Sequence, residues 1–127
     1  MKKMFLLFSH KLTKQQQQDA IKTFEIEEFQ YLPKDLQFIF SNIPSNLTSL
    51  EEYLIPLKTY LKDNAKNHDI VLIQGDFGAV YQMVNFSKSL GLTSVYSTTN
   101  RIIEEVFKDG KTIKKSIFEH VMFRRYI

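Results

Sequence analysis

The chain has 127 residues, 43% of them hydrophobic and 24% charged, with no cysteine and a formal charge of +3. That length fits one domain with a proper core; disulfides and thiolate metal sites are excluded, and no stretch approaches the ~20 apolar residues that cross a bilayer. Seventeen basic residues against 14 acidic, with a pI near 9.0, suit a small anionic partner better than a DNA duplex, which calls for denser basic blocks.

Met4 to Phe8 follow Lys2-Lys3 but are too few for the apolar core of a secretion signal. They predict a first strand over Lys3 to Phe8, ending in Ser9-His10-Lys11, and the cytoplasm is the default compartment. Thr13 and Gln16 have the spacing of a capping box, and Ala20, Ile21 and Phe24 give the helix behind it one apolar face. Gln15 to Gln18 read as good helix formers with no functional role. Glu28 to Leu32 predicts a second strand, closed by Pro33, which completes a β-α-β unit. Asp35 to Phe40 predicts a short helix, and Ser41 to Asn46 a polar loop. Thr48 and Glu51 suggest a second capping box opening a helix that runs to about Asn64, with Pro56 kinking or splitting it.

Ile70 to Ile73 is an uninterrupted apolar run, as expected of a strand buried on both faces of a parallel sheet. It stops at Gln74-Gly75-Asp76, where the chain must turn into a helix beginning near Phe77 and ending at Gly91. Leu92 to Tyr96 predicts a fourth strand that ends in Ser97-Thr98-Thr99-Asn100-Arg101. Ile102 to Phe107 and Thr112 to Phe123 then form a hairpin around Asp109-Gly110, the strongest short hairpin signal. The expected fold is α/β, an open and mainly parallel sheet with a C-terminal antiparallel β-hairpin, in a single domain over residues 1–127.

Three parallel strands would thus end in Ser9-His10, in Gln74-Gly75-Asp76 and in Thr98-Thr99-Asn100-Arg101, all on one rim of the sheet. Hydroxyls, an imidazole, amide and carboxylate acceptors, a guanidinium and the helix N-terminus at Phe77 would converge there, which suits a phosphate-bearing nucleotide. Asp76 reads equally well as a helix cap and Gly75 as a turn residue. No dinucleotide or triphosphate fingerprint is present. His10, His68 and His120 lie in separate segments without metal-ligand spacing. No cofactor and no metal is expected. Lys111, Lys114 and Lys115 read as a solvated hairpin face.

Leu6-Leu7-Phe8-Ser9-His10, Leu12-Thr13, Val71 to Ala79, Ser97 to Arg101 and His120 to Tyr126 together resemble the small stand-alone CRISPR-associated proteins of type III systems, which have a Rossmann-like fold related to the CARF sensor domains. The resemblance implies a CARF-like domain acting as a ring nuclease. Such an enzyme cleaves cyclic oligoadenylate, cyclic tetra-adenylate first among them, without metal, by attack of a ribose 2′-hydroxyl on the adjacent phosphorus. The products would be linear, with a cyclic 2′,3′-phosphate, and type III signalling would end.

On this reading His10 is the acid or base, since histidine ordinarily titrates near neutrality. Ser9 positions the substrate, and Arg101 with the Phe77 helix end stabilises charge. Gln74, Gly75, Asp76, Phe77, Gly78, Thr98, Thr99, Asn100 and Arg124 complete the ligand-binding set. Related enzymes are symmetric dimers, so a homodimer is expected. Two alternatives stand beside this one: a sensor or sink that holds the ring uncut, and an interaction protein whose hairpin is the working part.

Overall fold

The central strands form where the apolar runs are longest. The computed structural model describes residues 1–127. Strands β1 (Lys3–Leu7) and β3 (Ile70–Ile73) pair in parallel, Met4 opposite Ile70 and Leu7 opposite Ile73. Apart from Lys3, every residue of the pair is buried, so helices must cover both faces.

Between them lie helix α1 (Lys14–Phe24), strand β2 (Glu28–Tyr31), helix α2 (Lys34–Ser41) and helix α3 (Ile55–Asn64). Helix α4 (Phe77–Ser89) follows β3, and strands β4 (Thr93–Lys108) and β5 (Lys111–Arg125) end the chain. The sheet order is β2-β1-β3-β4-β5; the first four strands are parallel and β5 is antiparallel to β4. No helix is long and apolar enough to cross a membrane.

Alternation along β1 divides the core in two. Met4 and Leu6 pack with Ala20 and Phe24 of α1, and with Leu72, Val95 and Phe123, on one face. Phe5 and Leu7 pack with Phe40, Leu57, Leu61 and Met83 from α2, α3 and α4 on the other. The chain moves from β1 to β2 on one side and then crosses to β3 on the other. Right-handed connections to opposite sides require helices on opposite faces, and a crevice opens where the direction reverses, between the carboxyl ends of β1 and β3.

Several local expectations hold. The Thr13 hydroxyl accepts from the Gln16 backbone N–H at 3.1 Å while the Gln16 side-chain oxygen Oε1 accepts from the Thr13 N–H at 2.9 Å, closing the capping box. Asp109 (φ 52°) and Gly110 (φ 74°) both take positive φ, as a primed two-residue turn requires. Gly91 (φ 74°) follows α4 in the left-handed region.

Two expectations are corrected. Thr48 and Glu51 form no capping box: the Glu51 N–H donates to Ser49 instead, and α3 starts at Ile55 with Pro56 in its first turn. A proline has no N–H to lose there and brings a helical φ, so it opens the helix rather than kinking it.

The fourth strand does not end at Tyr96. β4 runs unbroken through Ser97-Thr98-Thr99-Asn100-Arg101 to Lys108, and Ser97 to Arg101 pair with β5. Hydroxyl-rich segments make good strands when an antiparallel partner takes their backbone groups and one face meets water. Every residue from Thr99 to Ser116 is exposed, so the hairpin projects beyond the sheet as a two-stranded ribbon.

The ladder between β4 and β5 carries one irregularity: Thr98 pairs with Met122 and Thr99 with His120, leaving Val121 as the extra residue of a bulge. Three residues apart, His120 and Phe123 would face opposite ways on a regular strand. The bulge turns both toward α1, with ring centroids 4.5 Å apart.

Gly91→Ala should cost about 1–2 kcal/mol, because the left-handed conformation penalises a Cβ. That Cβ would also lie 2.9 Å from the Asn67 side-chain oxygen. A lower urea midpoint with an unchanged slope checks this; an unchanged midpoint contradicts it.

Candidate functional site

The crevice at the switch point is the floor of a cavity of about 460 Å³. Phe8, His10 and Lys11 come from the segment after β1, Gln74 from the segment after β3, Ser97 and Thr99 from β4, and Phe118, Glu119 and His120 from β5. Thr13, Gln15 and Gln16 at the N-terminal turn of α1 close it. A smaller hollow formed by Phe8, Ser9, His10, Gln74 and Gly75 lies beside it.

Hydrogen bonds fix the floor. The Gln74 N–H donates to the Leu7 carbonyl at 3.0 Å, extending the β1–β3 pairing. Its side-chain oxygen accepts from the Ser97 N–H at 2.7 Å, carrying the sheet on to β4 after backbone pairing stops at Val95. Ser97, His120 and Gln16 are all buried. The Ser97 hydroxyl lies 2.5 Å from His120 Nδ1, and the Gln16 side-chain amide faces the same hydroxyl at 3.4 Å. His120 Nε2 lies 2.6 Å from an Asp19 carboxylate oxygen, and the Thr23 hydroxyl donates to that carboxylate at 2.7 Å.

Proton positions follow from acceptor capacity. An ionised carboxylate only accepts, so Nε2 carries the ring proton; Nδ1 of the neutral ring then accepts from Ser97. Burial pushes the Asp19 carboxyl up, but the hydrogen bonds from Thr23 and His120, the charge that His120 carries whenever its ring is protonated, and the charge of Lys22 outweigh it. They hold Asp19 below its ordinary value.

The predicted site residues separate into two groups. His10, Gln74 and Thr99 meet in the cavity, with Ser9 and Gly75 beside it. The Ser9 hydroxyl is 3.0 Å from that of Ser41 on α2, and the His10 ring stands edge-on to Phe8 at 5.4 Å.

The other residues lie elsewhere. Asp76 caps α4, accepting from the Ala79 N–H at 3.1 Å. Phe77 is 94% exposed and lines a different, apolar hollow with Tyr81 and Tyr126; Gly78 packs close to Leu50. Thr98 hydrogen-bonds the backbone of Met122, and Asn100 pairs with Glu119 on the exposed ribbon. Arg101 stands on that ribbon with its guanidinium on the Ser116 hydroxyl. Arg124 donates to the Tyr96 hydroxyl at 2.9 Å and sits over its ring.

The expected convergence of Arg101 and the Phe77 helix end with His10 is therefore corrected. Because β4 continues as a strand, Arg101 travels outward with it; the helix that presents its first turn to the cavity is α1, not α4. Sequence reading missed Gln16, Asp19, Ser97 and His120 as one group. The capping-box position of Gln16 was its only signal, and nothing in the spacing of Asp19, Ser97 and His120 joins them.

The geometry defines a doubly wound α/β protein with a polar crevice at its topological switch point, the usual ligand position of that architecture. Sequence comparison gives the family: the chain belongs to the Uncharacterized protein MJ1673 family, matched over residues 2–124. Uncharacterized protein MJ1673 of Methanocaldococcus jannaschii is 53% identical over 126 residues, covering 99% of this chain and 98% of its own. No solved structure matches the chain.

The lowered Asp19 pKa makes a stability prediction. Its ionised form contributes stability that is complete above about pH 4 and is lost as pH falls through the lower folded value. Asp19→Asn should therefore lose less stability than the parent between pH 7 and pH 3 in urea titrations. Equal losses would contradict the role given to this carboxylate.

Proposed function

We propose that the switch-point cavity binds cyclic oligoadenylate, cyclic tetra-adenylate first among them, and that the protein is a cytoplasmic ring nuclease of type III CRISPR signalling. The ribose 2′-hydroxyl attacks the adjacent phosphorus, the 5′-oxygen leaves, and the product is linear with a 2′,3′-cyclic phosphate. The observation that carries this reading is that His10, Gln74, Ser97 and Thr99, from three strands, meet beside the first turn of α1. That set offers an imidazole, hydroxyls and amides for ribose and adenine, and helix N–H groups for phosphate. The resemblance of the five sequence segments to CARF-like proteins supports the same ligand.

A non-catalytic sensor or sink is the second reading. What favours it is that neither Arg101 nor Arg124 lines the cavity, which leaves Lys11 and the α1 turn to meet the phosphorane charge.

Labelled cyclic tetra-adenylate in excess chelator should be converted to linear products by the purified protein. Tight binding with the ring left intact would select the sink; no binding would remove both readings. His10→Ala should lower the single-turnover rate about 10²-fold, the lower range for a lost acid or base, while affinity changes little. A fall in affinity equal to the fall in rate would make His10 a binding group only.

A homodimer is part of the same proposal, since a ring with rotational symmetry is well enclosed by two copies of one rim. The ribbon exposes Ile103, Phe107 and Phe118 on strands that have no layer behind them, and such a pair of strands is marginal alone. Light scattering at micromolar concentration should give twice the mass calculated for the 15.0 kDa chain. A monomer unchanged by ligand would contradict it.

A further inference from the structure

Asp19, His120 and Ser97 form a hydrogen-bonded chain leading from the side of α1 to the cavity floor. The face that holds it is packed with Met4, Leu6, Leu72, Val95 and Phe123, and Gln16 is the further buried polar side chain that meets the chain there. His120 and Ser97 are buried there and need partners, Asp19 reaches them from the partly exposed side of α1, and well-packed apolar residues would serve stability equally well. The chain also requires an irregular strand, because only the bulge at Val121 turns His120 toward α1. Bulges of this kind re-aim single side chains beside functional sites.

Polarity runs one way along the chain. The Asp19 carboxylate accepts from Nε2–H and Nδ1 accepts from the Ser97 hydroxyl; one Ser97 lone pair meets the Gln16 side-chain N–H, which leaves the other for the cavity that Ser97 lines. The order of groups is that of a serine triad, with the two ring nitrogens exchanged. His10 lines the same cavity, so two imidazoles serve one space.

We infer that Ser97, backed by His120 and Asp19, accepts the proton of the attacking 2′-hydroxyl, and that protonated His10 supplies the proton to the leaving 5′-oxygen. This rests on the ring nuclease reading. As the 2′-oxygen bonds to phosphorus, its proton passes to Ser97 and the Ser97 proton passes to His120 Nδ1. The bond from phosphorus to the 5′-oxygen breaks, and that oxygen takes a proton from His10. The phosphodiester becomes a 2′,3′-cyclic phosphate and a 5′-hydroxyl, with no water consumed; the two imidazoles then exchange protons with solvent to reset. Ser97 and His10 are catalytic residues; His120 and Asp19 act through Ser97.

The rate should follow a bell in pH, since one imidazole must start neutral and the other protonated. The charged groups around the pair are Asp19 and Lys22 on α1, Glu119 on β5 and Lys11 after β1.

The test uses cyclic tetra-adenylate for single-turnover rates and its uncleavable 2′-deoxy counterpart for affinity, with thermal melting of each variant. Ser97→Ala and Asp19→Asn should each lower the rate at least about 10²-fold. Affinity for the 2′-deoxy ring should stay within about threefold, well under the 1.4 kcal/mol that a tenfold change represents. Asp19→Asn should also move the acid limb of the bell to lower pH, because the protonated ring loses its counter-charge; a purely structural contact would leave that limb in place. Should His120→Gln fail to fold, these two smaller changes decide. If the parent cleaves and both folded variants cleave within about threefold of it, the chain is structural and the inference is overturned. If the parent binds without cleaving, or does not bind, the ring nuclease reading itself falls and takes this assignment with it.

Discussion

Strands β1 and β3 are buried on both faces, and the rest of the molecule follows from that condition. A parallel pair with no wet face cannot be closed by a short turn, so each strand must leave the sheet, cross a layer as helix and return. With β2 on one side of β1 and β3 and β4 on the other, the two sets of helices fall on opposite faces. Backbone pairing reaches from the Leu7 carbonyl to the Gln74 N–H. Beyond that bond the two chains part, and the crevice between them is a direct product of the topology.

What fills the crevice depends on β4. Its first residues complete the parallel sheet; the rest belong to an antiparallel ribbon with both faces in water. Ser97 sits at the changeover. Its backbone N–H has lost its β3 partner and is held by the Gln74 side chain, and its hydroxyl meets β5 through His120. The base of the ribbon is secured by Phe123 against Phe24 and by the Tyr126 hydroxyl, which donates to the Ile73 carbonyl at 2.7 Å. The ribbon tip has only cross-strand contacts to steady it, including the long, exposed pair of Lys114 and Glu105 at 4.0 Å, which adds little.

The electrostatics of the cavity are muted. Lys11 is the lone permanent cation of its lining, and Glu119 stands against it. Arg101, expected to stabilise charge, and Arg124, expected in the ligand-binding set, are engaged elsewhere, one with Ser116 and one with Tyr96. Recognition of an anion here would lean on hydrogen-bond donors and the α1 turn rather than on ion pairs. Such a site depends on geometry more than on ionic strength.

Local signals in the sequence were sufficient wherever a residue's role is decided by its immediate neighbours. The apolar run at Ile70, the capping box at Thr13 and Gln16, the left-handed Gly91 and the Asp109-Gly110 turn all form as read. That His10 and Gln74 come to one cavity was also legible, because parallel strands bring their carboxyl ends to one edge. Legibility failed where a distant partner changes the outcome. Ser97 to Arg101 reads as a polar loop until β5 supplies the pairing that makes it a strand, and that pairing carries Arg101 away from the rim. Asp19, Ser97 and His120 lie on a helix and two strands, and their union needs a bulge whose position depends on the register between β4 and β5. Sequence by itself determined the elements and the edge on which they end; tertiary structure alone decided which polar side chains face one another there, because register and a single extra residue set the direction of every side chain beyond them.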